Sequence, residues 1–411
     1  MKERQRVADL FDRPVPKEFR RGTHRAVPPA ETLARVRPLM ARMGITRLGN
    51  ITGLDRIGIP VAVAVRPNSR SVSVSQGKGL DREQAMVSAL MEACEGFHAE
   101  QIGATRVARY RQLAANETVV DPAALCSAER PFDPDAAIGW IAGWDLLRRE
   151  ACWVPAEIVH TDYTRNRNGF FLAGSNGLAS GNHLVEATIA AICELIERDA
   201  LALWQAGGIR SQAASGIDLA SIDDPACRRL LDKYAAAGID VRVWNATTDL
   251  GVPVFFCQIR DVPGGDPGRL RRFPGSGCHP DRAIALVRAL TEAAQTRLTY
   301  IAGIRDDLLP TKYQEAPSAD VTDALFDALA RQSKPAAFPL LPSIAGDDLT
   351  GDLRHLLALL AAAGIERAVA VDLTLDEFAV PVVRVVIPGL EGDPRHPSYT
   401  PGIRARRAGA V

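Results

Sequence analysis

The sequence lacks both a long apolar run and an excess of charge of either sign. Its longest nearly apolar run, residues 356–365, is far too short to cross a bilayer. Residues 1–25 are charged throughout and lack the apolar segment of a secretory signal, so we expect a cytoplasmic location. The 49 basic and 49 acidic residues leave no net charge, so we expect neither a nucleic-acid partner nor a membrane partner.

The sequence also lacks the motifs of the common metal and nucleotide sites. Its seven cysteines are irregularly spaced and form no CxxC pair. An odd number of cysteines in a reducing compartment argues against a disulfide framework and a zinc site, so we interpret most of them as small buried apolar residues. Because neither GxxxxGK[ST] nor a strand-linked GxGxxG occurs, a standard P-loop or dinucleotide-binding fold is not expected.

One pattern does occur three times, in residues 43–67, 235–259 and 361–387. In each copy a helix-like segment ends in Gly-Ile, a β-prone segment and a polar turn follow, and Pro-Val opens a second β-prone segment. Glycine suits the left-handed residue that ends a helix, and proline suits the start of a strand. These residues are Gly44, Gly238 and Gly364, and Pro60, Pro253 and Pro381. Repeated helix-strand-strand modules predict an α/β (α+β) fold with mixed, largely antiparallel sheets, with chance similarity as the alternative.

Three longer helices are predicted between the copies, at residues 81–99, 182–203 and 281–304. Each predicted helix begins at a residue that suits a cap or a first helical position. These starting residues are Asp81 with Gln84 three positions later, Asn182 after Gly181, and Pro280.

The segments rich in glycine and proline are predicted as loops. Residues 174–182 and 273–280 lead into the second and third helices, where loop amides could cradle a phosphate. Residues 310–348 are predicted as a connection, and residues 391–411 as an irregular tail.

Each of the three helices carries acidic residues among small apolar neighbours. The acids are Glu92 and Glu95 on the first helix, Glu186, Glu194 and Glu197 on the second, and Glu292 on the third. Their spacings place the acids of one helix on one face. Arg198 lies beside the acids of the second helix, and Arg288 lies one turn before Glu292.

Two interpretations of these acids are equally favoured by the residues alone. Carboxylates on nearly buried faces repel one another and lose hydration, so a cation must balance them. Mg2+ suits this role because it takes hard oxygen ligands and is often shared with substrate phosphates. Alternatively, each glutamate lies on the solvent-facing side of an amphipathic helix.

Several segments together resemble the YcaO family. They are SNGLASGN at residues 175–182, ExxxxxxxExxER at 186–198, ExxE at 92–95 and RALTEAAQ at 288–295. The resemblance covers roughly residues 22–303, and the later segment VVRVVIPGLEG is also similar to the family. It implies a YcaO-type fold with an N-terminal extension at residues 1–21, an ATP-binding core at 22–305, and a C-terminal α/β module at 306–411 that completes the domain.

The resemblance implies that ATP lies between the acidic helices and that Mg2+ bridges its phosphates to the acids. The residues that match metal-associated acids are Glu92, Glu95, Glu186, Glu194, Glu197 and Glu292. The residues that match ATP contacts are Arg25, Thr32, Asn182, Arg198 and Arg288. Some members carry glutamine in place of Arg288, and Lys78 is a further candidate phosphate contact. No catalytic residue is assigned.

Similar enzymes activate a peptide amide: a nucleophile adds to the carbonyl carbon, ATP phosphorylates the amide oxygen, and phosphate leaves. Phosphorylation makes physical sense because the amide oxygen is otherwise a very poor leaving group. A neighbouring Cys, Ser or Thr side chain as nucleophile gives an azoline, whereas sulfide gives a thioamide.

The resemblance is strongest to members that work with a TfuA-like partner, which is thought to deliver sulfide. The chain ends without the PxPxP tail of many azoline-forming members, and a fused E1-like or peptide-recognition domain is not expected before Gly22. We therefore expect thioamide formation in a ribosomal peptide or protein, with a TfuA-like partner. The alternatives are an azoline-forming cyclodehydratase with an E1-like partner, a non-catalytic peptide-binding scaffold, and a ligase that forms an acyl-adenylate. The sequence is compatible with either a monomer or a homodimer as the oligomeric state.

Overall fold

The computed structural model describes most of the chain. The described residues are 6–11, 13–126, 130–261, 272–305, 328–329, 331 and 334–410. The predicted boundary between residues 305 and 306 falls at the edge of a range outside them, so the predicted domain division stays a prediction. Residues 310–327 of the predicted connection also lie outside the described residues.

The described residues contain short and long helices and mainly antiparallel strands. The α-helices are α1 (Pro29–Val36), α2 (Arg82–Gln101), α3 (Tyr110–Ala114), α4 (Leu184–Ala206), α5 (Gly208–Ala214), α6 (Pro225–Ala236), α7 (Arg282–Ala302), α8 (Leu349–Ala362) and α9 (Ile403–Gly409). The strands are β1 (Arg47–Asn50), β2 (Val61–Val65), β3 (Val74–Lys78), β4 (Arg106–Arg109), β5 (Ala137–Asp145), β6 (Glu150–Pro155), β7 (Leu178–Ser180), β8 (Ile217–Asp218), β9 (Ile239–Asn245), β10 (Val254–Asp261), β11 (Arg272–Cys278), β12 (Ala336–Ala337), β13 (Val369–Asp372) and β14 (Val382–Val386).

Two of the three sequence repeats form small antiparallel sheets that each carry one long helix. The first sheet has the strand order β1-β2-β3 and packs against α2, and the second has the order β11-β10-β9 and packs against α7. In both, the last strand in sequence runs directly into the helix that covers the sheet. The two units therefore present one acidic helix each in a similar setting.

Glycine allows these helices to lie directly on the strands. A Cβ atom added to Gly77 of β3 would lie 2.0 Å from the backbone nitrogen of Ala89 in α2. One added to Gly275 of β11 would lie 2.2 Å from the carbonyl oxygen of Ala289 in α7. Because only a residue without a Cβ permits such close backbone contact, both helices are fixed in height above their sheets.

The third repeat supplies β13 and β14 to a six-stranded sheet with the order β4-β5-β13-β14-β7, in which β6 also pairs with β5. One face of this sheet packs against α4, with Val383 and Val385 in the shared core. The opposite face packs against α2, with Val382 in that core. The sheet thus separates the first two acidic helices, whose acids meet beyond its edge strand β7.

The predicted fold class is confirmed: the chain is a mixed α/β protein with largely antiparallel sheets. In each of the three repeats the helix-ending glycine has a positive φ, of 70°, 64° and 81° for Gly44, Gly238 and Gly364 respectively. The predicted prolines lie one residue before β2, β10 and β14. All seven cysteines are free, and all except Cys126 are buried, as expected for small apolar residues.

Several local predictions were wrong. The cap of α4 is His183, whose ring accepts a hydrogen bond from the Val185 amide, because the Asn182 side chain contacts Glu186 instead. The cap of α7 is Asp281, and the predicted Pro280 precedes it. Of the predicted phosphate loops, residues 178–180 and 272–278 form β7 and β11, and the predicted irregular tail contains α9.

A search of the described residues for helices both long enough and apolar enough to cross a membrane finds none.

The contact between β11 and α7 predicts a strong effect of a single methyl group. We expect Gly275→Ala to lower the free energy of unfolding by about 2 kcal/mol or more, because its Cβ would overlap the α7 backbone. The matched control is Gly53→Ala, where an added Cβ meets no atom within 4 Å. Thermal unfolding of both variants measures the difference, and equal melting temperatures would contradict the expected clash.

Candidate functional site

Every side chain predicted to hold ATP or Mg2+ borders one cleft. The cleft has a volume of about 820 Å3, which is a size typical of small-molecule and cofactor sites. Helices α2, α4 and α7 contribute to its walls, together with residues from β3 and β7 and from the segment before α1. The structure therefore brings together residues that are up to 267 positions apart, from Arg25 to Glu292.

The first group of contacts joins the N-terminal segment to the start of α4. The Glu186 carboxylate accepts hydrogen bonds from Arg25 Nη1 at 3.3 Å and from the Ala26 amide at 2.8 Å. It also accepts from the Asn182 amide at 3.3 Å. Asn182 Oδ1 in turn accepts a hydrogen bond from Thr32 Oγ1 at 2.7 Å. Because Glu186 already has these donors, it holds the segment in place and has little free capacity for a metal.

A second group connects β3, β11, α4 and α7. Lys78 Nζ lies 2.7 Å from Glu292 Oε2, and the Ser276 amide donates to Glu292 Oε1 at 3.2 Å. The Ser276 hydroxyl lies 2.7 Å from Glu197 Oε1. Burial acts to raise the pKa of Glu292, but Lys78 and then Arg198 outweigh it and hold this pKa well below its ordinary value. Glu292 is therefore ionised and paired at neutral pH.

Arg198 lies among three acids. Its guanidinium is 3.2 Å from Glu197, 3.5 Å from Glu194 and 3.7 Å from Asp393. Burial acts to lower the pKa of Arg198, but Glu197 and Glu194 raise it overall. Arg198 therefore keeps its positive charge at neutral pH.

Arg288 reaches the same cleft from α7. Burial acts to lower its pKa, but the charges of Glu197 and Glu292 raise it overall. Its Nε is buried and has no hydrogen-bond partner within the part of the chain that the structure describes. Arg288 therefore keeps a charge and free hydrogen-bonding capacity, both of which suit a phosphate oxygen.

Burial raises the pKa values of a third group of acids. Glu95 accepts hydrogen bonds from the Ser180 amide at 2.8 Å and from its hydroxyl at 2.7 Å. Burial nevertheless raises the pKa of Glu95 to about 8. The Glu92 side chain is open to the cleft. The surrounding cleft walls nevertheless remove part of its hydration, and this raises its pKa to about 7. Burial also raises the pKa of Glu194.

The donors of the cleft fit a metal that is shared with a phosphate. In the described ranges no group of three or more His, Cys, Asp or Glu side chains could hold a metal alone. However, Glu197 Oε2 is buried without a hydrogen-bond partner among the described residues, and Glu92, Glu95 and Glu194 have raised pKa values that a cation would lower. Mg2+ is commonly held by one or two carboxylates, water and substrate phosphates. Carboxylates beside Arg198, Arg288 and Lys78 offer this combination.

Several residues of the cleft and its walls are not recognisable from the sequence. Asp393 contacts Arg198, and Arg395 lines the cleft, although both belong to the tail that was predicted to be irregular. Ser180 and Ser276 were interpreted as parts of loops. No local pattern distinguishes these four, because their role depends on contacts that are distant in sequence.

The chain is similar to proteins of one family along most of its length. The sequence model of a family described as YcaO cyclodehydratase, binding ATP and Mg2+, matches residues 76–391. A relative from Rhizobium leguminosarum bv. trifolii, described as an uncharacterized protein in the tfuA 3' region, is 39% identical over 383 residues. This match covers 90% of this chain and 89% of the relative. The matched family binds ATP and Mg2+, which confirms the two predicted cofactors.

Two solved structures share the fold. One, described as a heterocyclase in complex with substrate and cofactor, matches 92% of this chain with a TM-score of 0.78 and 24% identity. The chain spans about half of that protein, 54% of its length. The other, from Methanopyrus kandleri and described as bound with AMPPCP and Mg2+, matches 94% of this chain and 100% of its own length, with a TM-score of 0.68 and 24% identity.

The raised pKa of Glu95 predicts a pH-dependent stability. The unfolded chain loses this proton near the ordinary pKa of 4.5, whereas the folded protein keeps it up to about pH 8. Glu95 therefore stabilises the fold most at low pH, and this contribution is lost as the pH rises to about 8. We expect Glu95→Gln to melt at a higher temperature than the unmodified protein at about pH 8 and at nearly the same temperature at about pH 5.

Differential scanning fluorimetry without nucleotide or metal measures this effect. The control is Glu186→Gln, which should lower the melting temperature at both pH values because Glu186 is paired with Arg25. Identical melting curves for Glu95→Gln and the unmodified protein at about pH 8 would contradict the assignment.

Proposed function

The chain belongs to the YcaO family, as its motifs predicted, and on this premise we propose that it activates a peptide backbone amide by ATP-dependent O-phosphorylation. The observation that carries the proposal is a cleft in which cations suited to phosphate lie beside buried carboxylates, of which Glu95 has no ion-pair partner among the described residues. A nucleotide and a divalent ion would satisfy both sets of charges at once.

We divide the cleft residues by their contacts. Arg198, Arg288 and Lys78 would orient the phosphates of ATP, because each carries a charged donor into the cleft. Mg2+ would be held by the carboxylates of Glu92, Glu95, Glu194 and Glu197. The bound ion would neutralise the negative charge that develops during phosphoryl transfer.

The remaining predicted residues would position the nucleotide and the wall around it. Arg25, Thr32 and Asn182 form the network at the start of α4 and are assigned to the nucleotide itself. Glu186 and Glu292 are already paired with Arg25 and Lys78, and would position these cations.

The reaction follows from the poor leaving ability of the amide oxygen. A nucleophile adds to the carbonyl carbon, and the resulting oxygen attacks the γ-phosphorus, so that the bond to ADP breaks. The carbon–oxygen bond then breaks and phosphate leaves. With hydrosulfide (HS−) as the nucleophile, the amide oxygen departs in phosphate and the sulfur remains as a thioamide, while the single proton of the sulfur is lost to water.

We propose thioamide formation, with the sulfur delivered by a TfuA-like partner. The support is the relative at 39% identity, which is described as lying in the tfuA 3' region. The alternative is azoline formation with an E1-like partner, which is supported by the family description as a cyclodehydratase. In both cases the substrate is a peptide or protein, and we place the reaction in the cytoplasm. We also propose that residues 306–411 complete the domain whose core is 22–305.

The proposed metal ligands predict a loss of nucleotide binding when they are removed. We expect Glu194→Ala and Glu197→Ala each to weaken the binding of ATP in the presence of Mg2+ by about a hundredfold or more. The matched control is Glu366→Ala, whose carboxylate is exposed in a surface pair with Arg148. Calorimetric titration measures the affinities. Undetectable ATP binding by the unmodified protein, or unchanged affinity in both variants, would contradict the assignment.

The proposed reaction also predicts its products. Candidate peptides encoded near the gene should be incubated with the chain, a TfuA-like protein, ATP, Mg2+ and sulfide. We expect ADP and phosphate, together with a peptide mass in which one oxygen is replaced by sulfur. Loss of one water would instead support azoline formation. AMP and pyrophosphate would indicate an acyl-adenylate and would contradict the proposal, whereas ATP binding without turnover would indicate a scaffold.

A further inference from the structure

One buried arginine next to the cleft has no role in the mechanism above. Arg384 lies at the centre of β14, where it is 4% exposed and all its strand neighbours are buried valines. Its Nη2 donates a hydrogen bond to the Gly174 carbonyl oxygen at 3.0 Å. Its Nε and Nη1 are buried and have no hydrogen-bond partner among the residues that the structure describes. Buried donors are nearly always paired, so these two atoms call for an acceptor that a ligand would supply.

Arg384 lies next to residues that line the cleft. In the register of β14 and β7, Arg384 lies opposite Leu178, which lines the cleft. Its acceptor Gly174 directly precedes Ser175, which also lines the cleft. Arg384 also lies near Tyr163, an exposed residue of the same lining. The guanidinium therefore lies directly behind the wall that these three lining residues form.

Other polar atoms without partners occur in the same wall. Thr161 lines the cleft and is 3% exposed, yet its Oγ1 has no hydrogen-bond partner in the described ranges. The Asn176 side-chain oxygen, next to Ser175, is also buried and unpartnered there. We call these residues the polar wall: Thr161 and Ser175, which line the cleft, together with Asn176 and Arg384, which lie directly behind them. It combines charged donors, an acceptor, and hydroxyl groups that can serve as either.

This combination fits a peptide group better than a phosphate or a metal. A phosphate offers acceptors alone, and the Asn176 oxygen and the nearby negative charge of Glu194 would oppose it. A metal would be repelled by Arg384. A peptide unit offers one carbonyl acceptor and one amide donor, which is the complement of the polar wall. The wall also shares no residue with the set assigned to ATP or Mg2+.

We propose that the polar wall binds the backbone of the substrate peptide, with Arg384 donating to a peptide carbonyl oxygen and Asn176 or Thr161 accepting from a peptide amide. This inference rests on the proposed function, because it takes a peptide as the substrate of the same cleft. Glu194 would then lie between the bound peptide and the nucleotide. The interaction is independent of side-chain identity, since only main-chain groups are recognised.

The test uses a probe that carries only main-chain groups, N-acetyl-tetraglycine amide, with the full-length protein. We expect saturable binding by the unmodified protein in ligand-observed NMR. Arg384→Met and Thr161→Val should each weaken this binding by about tenfold or more, as expected for the loss of a hydrogen bond to a buried group. Thr161→Val should not change the affinity for ATP in Mg2+. The matched control is Thr350→Val, whose hydroxyl is already bonded to Arg13 and Val15; it should leave probe binding unchanged.

The melting temperature distinguishes recognition from a structural role. Arg384→Met should not melt at a lower temperature, because it removes a buried charge that forms no ion pair among the described residues. A lower melting temperature with unchanged probe affinity would show that Arg384 only supports the Gly174 segment. Absence of saturable probe binding to the unmodified protein, or unchanged binding in both Arg384→Met and Thr161→Val, would likewise overturn the proposal. Failure of the proposed function would differ, since ATP binding itself would then be absent.

Discussion

The site depends on the direct contact of two helices with glycine-bearing strands. Gly77 under α2 and Gly275 under α7 leave no room for a side chain, so each helix is held at a fixed height and rotation above its sheet. The rotation decides which helical residues face the cleft. If a larger residue lifted either helix, the acids of that helix would move relative to α4, whose position is fixed separately by the six-stranded sheet.

The charges of the cleft divide into a paired set and an unpaired set, and this division gives the site its chemistry. Lys78 with Glu292 and Arg25 with Glu186 are internally satisfied, and they keep the walls in place. Glu95 has no ion-pair partner among the described residues, and burial raises the pKa values of both Glu92 and Glu95, at a cost in stability that a bound ion would relieve. Buried carboxylates with raised pKa values are common at sites where a ligand supplies the missing positive charge.

The sequence predicted the features that depend on local patterns. The three repeats, the helix-ending glycines and the acidic faces of the long helices follow from periodicity and turn chemistry. The strand β11 was missed because its glycines indicate a loop, whereas they serve the contact with α7. The pairing of Lys78 with Glu292, 214 residues apart, has no local signature, and neither does the contact of Asp393 with Arg198. The predicted ATP and Mg2+ residues therefore do meet in one cleft, but their partners and several other cleft residues were not predictable.

The bond between Lys78 and Glu292 also links the occupancy of one ligand to that of another. A phosphate that draws Lys78 to itself leaves the Glu292 carboxylate without its cation, and this raises the attraction of the cleft for a divalent ion. By reciprocity, an ion held by the neighbouring acids supplies positive charge near Glu292 and so makes it easier for Lys78 to leave for a phosphate. Nucleotide and metal would therefore enter with positive cooperativity, and either ligand alone would bind more weakly than the pair.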